Sequence, residues 1–167
     1  YLNIKNYECG MMVRSRAEKC ANYIRKHTTA LIVSHIDADG LTSAAIMGKA
    51  LGRAGLEYET SFVKQLDMPV LNEIADRNPE LVIFTDLGSG MLDAINSLKL
   101  NAIISDHHQP QGTYEYHLNP HIFGINGSTE ISGAGMTYFL ACALGDNADL
   151  ASLAIVGAVG DLQHVKN

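Results

Sequence analysis

The sequence predicts an α/β domain of three layers, in which a mainly parallel five-stranded sheet is covered by helices on both faces. Three observations lead there. Short apolar bursts rich in strand formers alternate with stretches of helical spacing, the order that builds crossover units. The bursts lack the in–out alternation of a half-exposed strand, as expected where both sheet faces are covered. Polar, reactive residues stand just after several bursts, where open parallel sheets gather their ligands. No repeat, low-complexity tract or Pro/Gly-rich linker divides the 167 residues, a length suited to one domain with its own core.

Val13, Ala17, Cys20 and Ile24 recur at helical spacing and predict an amphipathic helix over roughly residues 11–27. Ala30–Ser34 is too short and too rich in strand formers to be anything but a strand. Leu41, Ala44, Ala45, Gly48 and Leu51 resume the helical period, with small residues that let a helix approach the sheet closely. The alternation continues with a strand at Tyr58–Val63, a helix at Pro69–Arg77 and a strand at Leu81–Thr85. A helix follows at Met91–Leu98, then a strand at Ala102–Ser105 and a weaker one near Tyr114–His117. Two helices close the chain, at about Ala134–Leu144 and Ala148–Leu162.

Composition narrows the partners. Lys and Arg total 12 against 18 for Asp and Glu, a net charge of −6, which excludes a basic module gripping nucleic acid by electrostatics alone. Three scattered cysteines without a CxxC pair imply a reducing compartment and neither a disulfide framework nor a cysteine-based zinc site. The longest apolar run, Leu150–Gly160, is far short of a membrane span, and no secretory signal opens the chain. A cytoplasmic domain without membrane contact is the expectation. Because the chain opens on Tyr1 and stops at Asn167, just after a functional motif, a domain cut from a longer protein is also expected.

The acidic residues carry the chemistry. His35-Ile36-Asp37-Ala38-Asp39-Gly40 follows the first strand, Asp86 the third and Asp106-His107-His108 the fourth, while Asp161 follows the apolar Gly157–Gly160. Each of these carboxylates alone reads most simply as a helix N-cap. Five of them converging on one crevice would raise one another's pKa values, a cluster tolerated when cations occupy it. Carboxylate mixed with imidazole suits Mn²⁺ first, with Mg²⁺ as the alternative. About six ligands are too many for one ion and suit two, the arrangement typical of phosphoryl chemistry.

HIDADG at residues 35–40, the isolated Asp86, Asp106-His107-His108 and Gly160-Asp161 stand in the order of the four motifs of the DHH phosphoesterase superfamily, which this sequence resembles from Ala30 to Asp161. HIDADGLTSAAI and Ile131-Ser132-Gly133-Ala134-Gly135 look most like RecJ-type single-strand exonucleases, archaeal ones in particular. His35 stands where bacterial members usually carry Asp. The resemblance implies that His35, Asp37 and Asp86 hold one metal ion, and that Asp39, His107 and Asp161 hold a second with Asp86 as the bridge. It assigns Asp106 the orienting of an imidazole and His108 the substrate phosphate, so that Asp106 and His108 are the catalytic pair. It also implies a nucleophilic water, with no covalent enzyme intermediate.

Other positions carry two readings each. Ser132-Gly133-Ala134-Gly135 opens a helix whose N–H groups either bind substrate phosphate, making Ser132 and Gly133 binding residues, or form an ordinary cap. Gly88-Ser89-Gly90 reads as a loop, Met136 and Cys142 as core, and Tyr114 and Tyr116 as packing residues with base stacking as the alternative. Six of the twelve cations (Lys5, Arg14, Arg16, Lys19, Arg25 and Lys26) lie in the first 26 residues, and none lies between Leu100 and Val165. The basic first helix reads as a solvated face, with substrate or partner binding as the alternative. DHH proteins usually carry a C-terminal DHHA1-type domain with basic substrate-binding residues, so residues 1–167 are expected to be the catalytic domain alone, weak or inactive in isolation.

The function implied is a metal-dependent phosphodiesterase, an exonuclease on single-stranded DNA or RNA. The alternatives are a small-substrate phosphoesterase acting on oligoribonucleotides, cyclic dinucleotides or pyrophosphate, or a replication scaffold that kept the fold. Replication or repair proteins are the expected partners.

Overall fold

The computed structural model describes residues 4–165, apart from the side chains of residues 4–8 and of His164. Tyr1, Asn167 and the Lys5 side chain lie outside the described residues. In chain order the elements are α1 (Ile4–Ile24), β1 (Thr29–His35), α2 (Ala38–Arg53), β2 (Glu57–Val63), α3 (Met68–Asp76) and β3 (Val82–Thr85). They continue with α4 (Leu92–Ser97), β4 (Ala102–Ser105), β5 (His117–Leu118), α5 (Gly133–Leu144) and α6 (Ala151–Gly160). Short 3₁₀ turns occupy Pro120–Phe123, Ala148–Leu150 and Gln163–Val165.

All four pairings are parallel, and the strand order is β2-β1-β3-β4-β5. Alternate residues of β1, β3 and β4 feed two cores. Ile32, Ile83 and Ile103 face the side of α1, α2 and α5, where they meet Ile24, Met47 and Leu140. Val33, Phe84 and Ile104 face α3 and α4, meeting Leu71, Leu92 and Ile95. Order reverses between β1 and β3, so the crevice beyond their carboxyl ends is the place a ligand is expected.

Several expectations shift. α1 starts at Ile4 and ends at Ile24, earlier at both ends than the apolar period suggested. β5 is the two residues His117–Leu118, because Tyr114 packs beneath the sheet instead of extending it. The last helix begins only at Ala151, after a 3₁₀ turn. β2 is an edge strand exposed along most of its length, so the covering of both faces holds for β1, β3 and β4 and not for it. Cys142 is exposed, not core, whereas Met136 is fully buried. Among the described residues no helix is long and apolar enough to cross a membrane.

Candidate metal centre

Register builds the site. Ser34 pairs with Thr85, and Thr85 with Ser105, so His35, Asp86 and Asp106 emerge side by side at one rim. Beneath them a buried hydroxyl layer ties the strands. Thr85 Oγ1 donates to Ser34 Oγ at 2.8 Å, and Ser105 Oγ lies 3.1 Å from Thr137 Oγ1 on α5. Asp86 leaves β3 with φ 58°, a left-handed backbone that costs a non-glycine residue energy. That turn places its carboxylate in the middle of the rim.

The first motif supplies three groups by two routes. Asp37 caps α2, its Oδ1 accepting from Gly40 N at 2.8 Å, while Oδ2 lies 2.9 Å from His35 Nδ1. Burial pushes the Asp37 carboxyl up, but the Gly40 N–H and the His35 ring outweigh it and hold the group below its ordinary value. Asp39, buried in the first turn of α2, accepts from Gly133 N at 2.7 Å and Ala134 N at 3.0 Å. The N-terminus of α5, with its partial positive charge, is thus taken by a carboxylate of the chain itself. Ser132 is buried and caps α5 through Gly135 N. Of the two readings of this segment, the ordinary cap is the one these bonds describe, with Gly133 N and Ala134 N held by Asp39 and Gly135 N by Ser132.

The third motif divides its labour. His107 Nδ1 donates to the Gly127 carbonyl at 2.7 Å, which leaves Nε2 facing Asp86 Oδ1 at 3.3 Å and Asp39 Oδ2 at 3.8 Å. A carbonyl on the far nitrogen fixes the tautomer a metal ligand needs. Asp106 is wholly buried and accepts from Ser89 N, His107 N and, at 2.7 Å, His108 Nδ1. It therefore orients His108, whose other nitrogen is left to the exposed side of the ring. Burial would raise Asp106, yet the His108 ring and the Ser89 N–H hold it well below the carboxylate range. The bond to Asp106 in turn raises His108.

Asp161 arrives differently. It follows the apolar Gly157–Gly160 as the C-cap of helix α6 and not from the end of a strand. Gln163 Nε2 donates to Asp161 Oδ2 at 3.2 Å and to Gly127 O at 3.0 Å, the carbonyl that also holds His107. α6 can approach because position 157 is glycine. A Cβ there would collide with Asp39 Oδ1 and Ala134 Cβ. Position 133 is equally constrained, a Cβ falling 2.5 Å from Asp86 Oδ1.

Two sets of ligand atoms, each within 4.8 Å of one another, share Asp86: His35, Asp37 and Asp86, and Asp86, Asp106, His107 and His108. Asp39 and Asp161 belong to neither set; Asp39 Oδ2 lies 3.8 Å from His107 Nε2, and Asp161 shares Gln163 with the Gly127 carbonyl that holds His107. Asp86 Oδ1 and His35 Nδ1 are buried and make no well-aligned hydrogen bond beyond their contacts with His107 Nε2 and Asp37 Oδ2, a costly state for polar atoms that a cation relieves. Burial, with Asp39 and Asp106 nearby, raises Asp86 despite the His107 contact. Burial lowers His107, but Asp86, the Gly127 carbonyl and Asp106 together raise it above its ordinary value. Only nitrogen and oxygen donors are present, a set that fits hard or borderline divalent cations.

Sequence patterns missed the supports. Ser89, dismissed as loop, is buried and links Asp106 to Asn119 and His117. Asn119 donates to the His108 carbonyl at 2.8 Å. Gln163 and the Gly127 carbonyl carried no signal beyond their nearness to motifs.

The model of the DHH family, N-terminal domain, matches residues 29–158. An uncharacterized protein of Methanocaldococcus jannaschii is 39% identical over 142 residues, covering 80% of this chain and 33% of its own length. The single-stranded-DNA-specific exonuclease RecJ of Escherichia coli is 28% identical over 148 residues, covering 79% of this chain and 25% of its own. The structure of Thermus thermophilus RecJ in complex with Mn²⁺ superposes with a TM-score of 0.72 at 24% identity, covering 89% of this chain and 24% of that one. The chain therefore spans a quarter to a third of the curated relatives' length.

Proposed function

This chain belongs to the DHH family, and from that premise we propose that it is the catalytic domain of a phosphoester hydrolase that cuts single-stranded nucleic acid with two divalent cations. The observation that carries the reading is that nitrogen and oxygen ligand groups meet at Asp86 from two sides, His35 and Asp37 on one and His107 on the other, around a buried carboxylate oxygen that makes no hydrogen bond. In this reading His35, Asp37 and Asp86 hold one ion, and Asp39, Asp86, His107 and Asp161 the other. Mn²⁺ is the first candidate and Mg²⁺ the second.

When bound, such ions supply a hydroxide-like nucleophile at neutral pH and neutralise charge at phosphorus. The chain's own residues do the rest. Gly127 and Gln163 aim His107 and Asp161. Asp106, charged and buried, holds the His108 ring with one nitrogen outward, where it donates a proton or hydrogen bond to a phosphate oxygen. The RecJ likeness favours a single strand as substrate. The net charge of −6 favours the second reading, a small-substrate phosphoesterase. Because residues 101–165 contain no Lys or Arg, a further domain that grips the phosphates belongs to the proposal, as do replication or repair partners.

The test is turnover of end-labelled single strands, dinucleotides and pyrophosphate by the full-length protein with Mn²⁺, beside Asp86→Asn. Single strands are expected to rank first and the variant to be inactive. Preference for pyrophosphate moves the protein to the second reading, and undiminished turnover in the variant removes Asp86 from the chemistry.

A further inference from the structure

A groove of about 440 Å³ runs along the outer side of α1, lined by Ser15, Lys19, Asn22, Tyr23, Lys26 and Tyr116. Its floor is aromatic. The Tyr23 and Tyr116 rings stack with centroids 4.0 Å apart and 16° between planes. Its rim is cationic, the Lys19 ammonium lying 5.6 Å from the centroid of Tyr116 and that of Lys26 5.9 Å from Tyr23. Both lysines are exposed and both tyrosines half-buried, so ring surface and charge are presented together.

The neighbouring arginines have other work. Arg16 donates to the His117 carbonyl and Arg25 to those of Ala143 and Leu144, which fastens α1 to the domain. Lys19 makes an exposed pair with Glu115 at 3.1 Å, and Glu18 also lines the groove. Net charge in the groove is therefore small, and ring stacking must carry much of any recognition. A stacked aromatic pair edged by two ammonium groups matches a base lying against ring surface with its phosphates beside the charges. A duplex hides its base faces, so the match is to single strands.

The groove runs along α1 from the amino end of the sheet, where the Tyr23 hydroxyl donates to Asn101 Oδ1 at 3.5 Å, and Tyr116 is its link toward the metal centre. Tyr116 directly precedes β5, three residues before Asn119, whose amide holds the His108 carbonyl. At roughly 3.3 Å per residue that is about 10 Å along the strand. We infer that the α1–Tyr116 groove is a track for single-stranded nucleic acid leading to the rim, with a base on the tyrosine pair and phosphates on Lys19 and Lys26. The inference rests on the hydrolase reading for its purpose, but binding here requires no metal.

The test is therefore made with chelator present. An end-labelled oligothymidylate of about 12 nucleotides is titrated with the protein at low salt and followed by anisotropy. Lys19→Gln/Lys26→Gln is expected to weaken binding roughly tenfold or more and to flatten the log–log salt slope by about 1.4, at about 0.7 per phosphate contact. Lys49→Gln/Lys99→Gln, which removes the same charge elsewhere, is expected to bind as the parent does. The chain has no tryptophan, so Tyr116→Trp provides one reporter, expected to be quenched by the single strand and not by a duplex. Absence of binding by the parent, equal loss in the two lysine pairs, or an unquenched indole overturns the groove. If groove variants bind normally while Mn²⁺-dependent turnover still needs Asp86, the groove falls and the hydrolase stands. If the groove variants lose binding but no phosphoester is cut with any metal, the reverse holds.

Discussion

The two ends of the sheet treat their carboxylates in opposite ways. At the amino end, Glu80 accepts from the backbone N–H groups and the hydroxyls of both Thr28 and Thr29, and Glu59 pairs with Arg77. Those bonds draw the Glu80 carboxyl down to about 2, led by the Thr29 and Thr28 N–H groups. At the carboxyl end, Asp86 is buried beside Asp39 and Asp106, and its Oδ1 makes no hydrogen bond beyond the His107 contact. One end is satisfied by the protein's own donors, whereas the other gathers carboxylates and imidazoles in a set that fits a cation. A carboxylate saturated with donors stabilises a fold, and one left short of them stores a binding site at a cost in stability.

The contrast breaks most visibly at Asp86. Asp86→Asn is expected to abolish metal-dependent turnover and to erase the rise in melting temperature that Mn²⁺ gives the parent, while melting no lower than the parent in chelator. Paired thermal melts with and without Mn²⁺ check this, because an ion that binds only the folded cluster raises the midpoint by mass action. His108→Ala comes next. It is expected to slow hydrolysis roughly 10²- to 10⁴-fold in single-turnover assays and to leave the Mn²⁺-induced shift intact, since the ring is exposed and in the proposed mechanism meets the substrate and not an ion.

Gly133→Ala sharpens the same comparison sterically. A methyl group 2.5 Å from Asp86 Oδ1 is expected to cost about 1–3 kcal/mol in denaturant unfolding and to weaken Mn²⁺ binding, by displacing the shared carboxylate. The smallest effect lies at the other end. Because Glu80 is drawn below its ordinary 4.5, its contribution is full above that value and disappears as pH falls through about 2. Glu80→Gln is expected to reduce the acid dependence of the melting temperature in that window and to leave turnover unchanged.

How much of this was legible in advance follows the range of the interactions. Ala30–Ser34, Val82–Thr85 and Ala102–Ser105 are apolar enough to be strands by themselves, and the acids and histidines that follow them mark the rim. β5 and the start of α6 were misplaced because their boundaries depend on packing, on Tyr114 folding under the sheet and on a 3₁₀ turn at Ala148–Leu150. Ser132-Gly133-Ala134-Gly135 left a phosphate loop and an ordinary cap both open, because the carboxylate its N–H groups meet is Asp39, 94 residues from Gly133 and outside any local window.

By itself the sequence determined the alternation of strands and helices, the residue types gathered at one rim and the uneven placement of cations. Those are properties of short segments, set by side-chain period and by which groups stand where a strand leaves the core. Tertiary structure alone decided that Asp86 stays short of donors, that Gly127 and Gln163 aim His107 and Asp161, and that Tyr23 lies on Tyr116. Such contacts join residues far apart in the chain, and close packing of the whole domain is what brings them within bonding distance.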